Sequence, residues 1–346
     1  MKALYYEQFK SPVTVATLPT PSPGPGEVLV RVQASGLCRS DWHGWMGHDS
    51  DVKPPHVPGH EMAGIIEAIG SGVQNWRLGA RVTVPFCLGC GRCPQCGSGN
   101  QHVCDNYYQP GFTGWGSFAE YVTIPYAEHN LVVLPDEVSF EAGAVLGCRF
   151  MTSYRGLVAQ GRLRGGEWVA VHGCGGVGLS AIMIASAMGA SVVAVDIDDE
   201  KLAFAESLGA NVKMNATSTD DVPAAIRELS GGGVHVSVDS LGSRATCRNS
   251  IECLRKRGRH VQIGLLAGKD SNPPLPMHLV MAYELEILGS HGMQAHQYPG
   301  MLQLITSGKL PLQKMVGDSL SLQEGARALM ELDRFRGLGV RVVNSF

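Results

Sequence analysis

Long apolar runs are missing from this 346-residue chain. No stretch reaches the ~18 uncharged apolar residues that a membrane-spanning helix needs. The longest apolar segment, residues 177–190, is interrupted by glycine and serine. The opening residues MKALYYEQFKSPV hold no apolar core and no cleavage signal, so no secretory leader is expected. Charge is scarce too, at 17% of residues against a usual ~25%. The 28 basic and 31 acidic side chains leave a net charge of −3. Without a cationic excess to cover phosphates, nucleic acid is not an expected partner. Apolar residues at 44% argue against disorder, and the length suits roughly two domains of ~150 residues.

Two residue types are abundant instead. There are 44 glycines, which point to tight turns and close backbone approach. There are also ten cysteines. Without a secretory leader they imply a reducing compartment, so a cytoplasmic protein is expected. There, clustered cysteines serve metals or chemistry more often than disulfides.

The texture changes along the chain. Before about residue 150, short runs at 27–34, 63–69 and 81–84 are bounded by glycine and proline. They read as strands of a barrel-like or mixed sheet, and the proline-rich piece 19–25 reads as a surface turn. From residue 151 apolar strands alternate with helix-length segments. Strands are expected at 168–172, 191–196, 212–215, 234–239 and 260–265. Helices are expected at 176–188, 200–208, 224–230 and 245–256. That alternation predicts a doubly wound parallel sheet. Residues 283–292 read as its last strand, an apolar edge that invites pairing with a second copy. Residues 300–346 read as one or two helices and a closing strand at 340–343 that return to the first domain. The expected domains are therefore 1–150 with 290–346, and 151–289.

Three constellations carry chemistry. Gly173, Gly175 and Gly178 form a G-x-G-x-x-G match with Gly176 and Val177 inside it. It follows a strand and opens a helix, and the next strand ends in Asp196. Gly173 permits the turn, Gly175 lets backbone reach a pyrophosphate, and Gly178 allows close helix–strand packing. The helix amino end offers free N–H groups to the phosphates. Asp196 accepts from both adenosine ribose hydroxyls and repels a 2′-phosphate, so NAD is expected over NADP.

Cys90, Cys93, Cys96 and Cys104 are four thiolates close in sequence. They suggest one tetrahedral, closed and therefore structural site, with zinc expected. The x2 spacing of three of them leaves an iron–sulfur cluster as the alternative. Cys87 lies outside the spacing.

Cys38, His60 and Cys148 are dispersed, but one imidazole and two thiolates make the three-ligand set of a catalytic zinc with an open position. Beside a dinucleotide, that set would polarise an alcohol oxygen.

With these motifs in place, the sequence resembles the zinc-dependent medium-chain alcohol dehydrogenases along its whole length, and most closely their microbial, tetrameric branch. The resemblance rests on Gly59-His60-Glu61, the four-cysteine lobe, Gly147-Cys148, the glycine-rich turn and the closing strand. It implies a GroES-like catalytic domain beside a Rossmann-type NAD domain, with two zinc ions per chain. Residue by residue, Cys38, His60 and Cys148 match the catalytic zinc ligands. Glu61 matches an acidic neighbour that can approach that zinc, and Asp41 the carboxylate that orients the imidazole. Ser40 and His43 match the proton relay to solvent. Arg39 and Arg341 match partners of the pyrophosphate, and Asp196 and Lys201 match the pair that holds the ribose. Thr152 and Val177 match positions beside the nicotinamide. Phe86 matches a substrate-pocket aromatic, and Trp45 and Trp115 are further candidates for that wall or for packing.

The expected activity is reversible oxidation of primary or secondary alcohols, aromatic or medium-chain ones included, to aldehydes or ketones. The expected assembly is a homotetramer, a dimer of dimers. A polyol-specialised dehydrogenase is disfavoured, because that branch tends to carry Glu where this chain has Cys148. A non-catalytic NAD-binding descendant is disfavoured because every ligand and Ser40 are present. Arg149 is the departure. It stands where the family commonly has a small residue, and it can pair with Glu61, narrow the site or favour an anionic substrate.

Overall fold

The structure, a computed structural model of the chain, describes residues 1–334 and 337–346. It divides into two compact units, Met1–Met151 with Gly292–Phe346, and Thr152–His291.

The second unit is built on six parallel strands, Trp168–His172, Ser191–Asp196, Val212–Asn215, Val234–Asp239, Leu254–Gln262 and Glu286–Gly289. Numbered in chain order, they lie 3-2-1-4-5-6 across the sheet. The order reverses beside the first strand, where an open parallel sheet presents its crevice to ligands. Apolar continuity explains the layer. Val169, Val171, Val193 and Val236 are fully buried although successive side chains face opposite sides of the sheet, so both faces are covered. Each such side chain contributes about 1.5–3 kcal/mol relative to exposure. Helices Gly176–Ala187, Asp199–Ser207, Val222–Leu229 and Arg244–Glu252 follow the first four strands. Asp198, Asp221 and Ser243 cap the last three, each accepting from backbone N–H groups of the first turn and so satisfying donors the helix cannot pair itself.

Several boundaries differ from the sequence reading, and the fifth strand ends at Gln262, short of residue 265. The fifth strand begins at Leu254, well before residue 260, so the preceding helix stops at Glu252. Its early residues Arg255 and Lys256 are polar and read as the end of that helix. The register shift between Val234 and Val236 and the left-handed Arg257 mark where the strand bends into the sheet. The last strand is short, Glu286–Gly289, and residue 283 ends a helix, Met277–Tyr283.

The first unit carries a mixed sheet. Val28–Gly36 is its long central strand, pairing antiparallel with Met62–Ile69, Tyr121–Ile124 and Val340–Ser345. Arg81–Val84 and Val132–Val133 extend one side, and Val316–Ser321 extends the other, parallel to Val340–Ser345. Val316–Ser321 was not expected, because the sequence VGDSLS lacks the apolar alternation of a half-buried strand. Residues 19–25 lie outside helices and strands, as a surface turn. Val28, Val30, Met62, Val82 and Ile124 pack as one core under the sheet.

Candidate metal centres and cofactor turn

Cys38, His60 and Cys148 come together in the first unit, with Glu61 beside them. One ligand atom from each of the four lies within 4.8 Å of every other. Cys38 precedes the short helix Arg39–Trp45, and Cys148 sits in a π-helical turn, Leu146–Phe150. Such turns are rare and recur at functional sites. Gly59 enters the site with φ +106°, and a Cβ there would lie 2.6 Å from the Phe118 nitrogen. Gly147 passes the Glu61 backbone so closely that a Cβ would meet its Cα at 2.9 Å. Both glycines are therefore required where the ligand-bearing segments converge.

Asp41 organises the centre. Its fully buried carboxylate accepts from Cys38 N at 3.0 Å, Gly59 N at 3.1 Å and His60 Nδ1 at 2.8 Å. A carboxylate only accepts, so a hydrogen lies on Nδ1, and loss of the Nε2 proton to an incoming cation frees that lone pair,. That Nε2 is buried and makes no hydrogen bond of ordinary geometry among the described residues. Burial opposes charge on His60, yet Asp41 and the neighbouring Cys38 sulfur lift its pKa well above the usual value. The Cys148 thiol donates toward Cys38, holding Cys38 well below the thiol range and pushing Cys148 up. Two sulfurs and the imidazole nitrogen converge as donors around a largely buried point that can hold a cation. Sulfur and nitrogen donors in this set fit zinc.

The second cluster holds Cys90, Cys93, Cys96 and Cys104, all buried, with their sulfurs within 4.8 Å of one another. Cys93 and Cys104 sulfurs stand 3.6 Å apart. Tetrahedral bonds of ~2.3 Å around one zinc put the sulfurs ~3.8 Å apart. An iron–sulfur cluster interposes several metal atoms and spreads its cysteines wider, so the spacing favours zinc. Backbone N–H groups of Cys90 and Asn106 donate to the Cys104 sulfur, and that of Cys96 to Cys93. The N–H of Arg92 leads the contacts that hold the Cys90 thiol down to about 6. Cys87 is buried away from the four and donates its thiol to the Met293 carbonyl at 3.5 Å.

The remaining sequence-predicted residues of this unit fall in several places. Ser40 Oγ lies 3.7 Å from the Cys38 sulfur, next to the first cluster. His43 Nδ1 meets His48 Nδ1 at 3.0 Å, and burial, then Arg39 and His48, lower the His43 pKa. Arg39 lies over the Trp42 ring, and the Arg341 carbonyl accepts from Leu37 N. The Phe86 ring stands edge-on to His60 with centroids 6.2 Å apart. Phe112, which sequence reasoning passed over, stands nearer at 5.3 Å. Its position in the Gly111-Phe112-Thr113-Gly114 turn carried no periodic signal. Of the two tryptophans, one packs on a core and one lies at the surface. Trp45 donates its indole N–H to the Ser11 carbonyl at 2.7 Å and packs on the core around Leu4 and Phe118. Trp115 is 38% exposed and lines a surface hollow with Met1, Pro21 and Tyr121.

In the second unit the glycine-rich turn follows strand Trp168–His172. Gly173 has φ +97° and its carbonyl accepts from Ser240 Oγ at 2.7 Å. A Cβ on Gly178 would collide with that carbonyl, whereas one on Gly175 would meet nothing within 4 Å. The turn is thus closed by Gly178 and left open at Gly175, a cradle shaped for a pyrophosphate. Helix Gly176–Ala187 begins there with its first N–H groups directed at the turn,. Asp196 ends the adjacent strand, accepting from Cys174 N at 2.6 Å and from Ile197 N and Asp198 N. Lys201 Nζ lies 3.8 Å from Asp198, on the helix that follows. Thr152 is buried, and the neighbouring Ser153 donates to the Val177 carbonyl at 2.8 Å. No helix among the described residues is long and apolar enough to cross a membrane.

Comparison with known proteins agrees with both halves of this description. Residues 24–136 match the alcohol dehydrogenase GroES-like domain, and residues 176–307 match the zinc-binding dehydrogenase family. The chain is 38% identical to an alcohol dehydrogenase of Geobacillus stearothermophilus over 313 residues, 90% of each protein. It is 32% identical to an NAD-dependent alcohol dehydrogenase of Sulfurisphaera tokodaii over 99% of each. The crystal structure of benzyl alcohol dehydrogenase from Acinetobacter calcoaceticus matches with a TM-score of 0.91 and 27% identity, covering 100% of this chain and 99% of that one. A buried Cys-His-Cys set, a four-cysteine lobe and a dinucleotide turn in one chain define a zinc-dependent dehydrogenase. With these relatives spanning nearly its full length, the chain belongs to the zinc-dependent medium-chain alcohol dehydrogenase family.

Proposed function

We propose that this chain is an NAD-linked alcohol dehydrogenase that interconverts primary or secondary alcohols with aldehydes or ketones. The observation that carries this reading is the convergence of Cys38, His60 and Cys148 within 4.8 Å of one another, with a buried His60 Nε2 that makes no hydrogen bond of ordinary geometry among the described residues. These three side chains would hold the catalytic zinc, and Cys90, Cys93, Cys96 and Cys104 the structural one. Asp196 and the turn Gly173–Gly178 would hold NAD, with Lys201, Thr152 and Val177 as further contacts. When bound, zinc supplies Lewis acidity at an open position and NAD accepts the hydride.

The chain's own residues do the rest. Asp41 fixes the imidazole tautomer so that its lone pair faces the metal position. Ser40, beside Cys38, takes the hydroxyl proton and passes it toward His43, whose lowered pKa keeps it a neutral acceptor near pH 7,. Phe86 and Phe112 set apolar edges against His60. That wall suits an aromatic or medium-chain alcohol, in line with the likeness to the benzyl alcohol dehydrogenase of Acinetobacter calcoaceticus. Assays of primary, secondary, aromatic and ω-carboxylated alcohols with NAD, followed by NADH absorbance, test this. Two zinc ions per chain and turnover of an aromatic or medium-chain alcohol are expected. Zinc without turnover of any alcohol would favour a non-catalytic NAD-binding protein.

The assembly we infer is a dimer, doubled into a tetramer. Glu286–Gly289 is the outermost strand of the parallel sheet, and Ile287 on it and Met277 and Met281 of the helix that precedes it in sequence are exposed. Sheet extension across a two-fold axis would pair that edge and cover those side chains. A monomer in light scattering at micromolar concentration would refute it. A cytoplasmic location is supported by ten cysteines with no disulfide among them,.

A further inference from the structure

Arg149 makes a contact pattern that the alcohol dehydrogenase reading does not use. Its Nε donates to Glu61 Oε1 at 2.9 Å, and its terminal nitrogen donates to Glu61 Oε2 at 2.5 Å. The same terminal nitrogen donates to the Leu37 carbonyl at 2.7 Å. The Glu61 side chain is fully buried and that of Arg149 is 11% exposed. The fork is therefore a desolvated, two-point grip on a carboxylate, the geometry that a guanidinium provides and an ammonium cannot.

The partners are placed with equal economy. Leu37 precedes Cys38, Glu61 follows His60, and Arg149 follows Cys148. One guanidinium thus ties together the three segments that carry the three ligands. Glu61 is itself close enough to count as a fourth, since its carboxylate lies within 4.8 Å of the ligand atoms of Cys38, His60 and Cys148. Both of its oxygens are committed to Arg149, so it can turn to a metal only by giving up part of the fork. Gly36 leaves room for this arrangement, because a Cβ there would strike Glu61 Oε2.

We propose that Arg149 is a positioning residue that holds Glu61 off the catalytic metal and so keeps the fourth coordination position open. The proposal rests on the reading of Cys38, His60 and Cys148 as a zinc site. A closed set of four protein ligands is the mark of a structural site, whereas a catalytic one keeps a place for substrate. Arg149 decides between the two by binding the carboxylate that would close it. The pair also delivers no net charge beside the metal, in contrast to a lone buried Glu61.

The test uses the full chain with cobalt at the Cys38/His60/Cys148 position, read by its visible absorption. Arg149→Met should change the cobalt bands as the Glu61 carboxylate joins the metal, and kcat should fall by at least ~10-fold, the lower end for loss of an outer-shell partner. Adding Glu61→Gln to Arg149→Met should return the bands to those of the unmutated protein, and Glu61→Gln alone should leave them there. Arg149→Lys, which keeps the cation and loses the fork, gives an intermediate spectrum and serves if the Met variant does not fold. An unchanged spectrum in both Arg149 variants would overturn the proposal. So would an altered spectrum that persists in the double variant, since Arg149 would then act on the ligands without Glu61. Metal content of the unmutated protein separates this from failure of the site itself: one metal ion per chain would refute the zinc reading, whatever Arg149 does.

Discussion

Asp41 Oδ1 accepts the Nδ1 hydrogen of His60 at 2.8 Å, and both side chains are fully buried. That bond fixes which imidazole nitrogen faces the metal position. In Asp41→Asn the amide can turn its NH2 toward Nδ1, which favours the other tautomer and protonates Nε2. Zinc affinity at this site should fall by about 10–100-fold. Competition with a chelator, counted as the first zinc released per chain, measures it. The four-cysteine zinc should be retained.

Cys93→Ser should lose the other zinc. Cys93 caps a short helix turn, and its sulfur also accepts from Cys96 N. Structural zinc contributes folding free energy directly. A loss of even ~5 kcal/mol lowers Tm by roughly 10–20 °C in a domain of 150–250 residues. Calorimetry with metal analysis checks both parts. Cys38→Ser, by contrast, should lose one zinc and nearly all turnover with a much smaller change in Tm.

Asp196 should set cofactor choice. Its carboxylate sits at the strand end beside the glycine-rich turn, and Asp198 and Asp199 follow it. With NAD it accepts ribose hydroxyls in charge-assisted bonds of ~1.5–3 kcal/mol each. A 2′-phosphate meets repulsion of several kcal/mol. Preference for NAD in kcat/KM should be at least ~100-fold, or ~2.7 kcal/mol. Asp196→Ser should weaken NAD use and narrow that ratio while zinc content stays unchanged. Equal kcat/KM for NAD and NADP in the unmutated enzyme would contradict this role.

His172 should make the second unit acid-sensitive. It ends the central strand, fully buried, with Nε2 3.7 Å from the Cys253 sulfur. Burial, with a further push from His260, lowers its pKa to about 3. Its pKa in the unfolded chain is ~6.5. The unfolded state therefore binds more protons between these values, and stability falls as pH falls through that window. The slope reaches ~1.4 kcal/mol per pH unit, is absent above pH ~6.5 and ends near pH 3. His172→Asn should flatten the decline in urea midpoint between pH 7 and 5. An identical decline in the variant would show that His172 does not contribute.

The strand and helix alternation of the second unit was legible because its strands are buried on both faces and read as continuous apolar runs. The exceptions are informative. Leu254–Gln262 starts with a cationic stretch that only the sheet register organises, and Val316–Ser321 holds its place by backbone pairing with Val340–Ser345. The four-cysteine lobe and the glycine-rich turn were legible because their residues are neighbours in sequence. The Cys38, His60 and Cys148 set was only weakly so, because its members meet through tertiary folding. Phe112 and the Arg149 fork depend on distances that no local pattern encodes. The sequence marked Arg149 as unusual but left three roles open, and geometry selects the pairing with Glu61.

The pairing of Val28–Gly36 with Val340–Ser345 has a consequence for synthesis on the ribosome. The central strand emerges early, but the partner of its Ser35 and Gly36 is translated far later in the chain. Residues 152–291 are contiguous, so that unit can fold while residues 292–346 are still being made,. The metal-binding unit must wait with Val316–Ser321 and the Ser35–Gly36 end of its central strand unpaired, a template for pairing with other chains,. A truncation before residue 340 should therefore leave a chain that can fold its nucleotide-binding half and aggregates through the other.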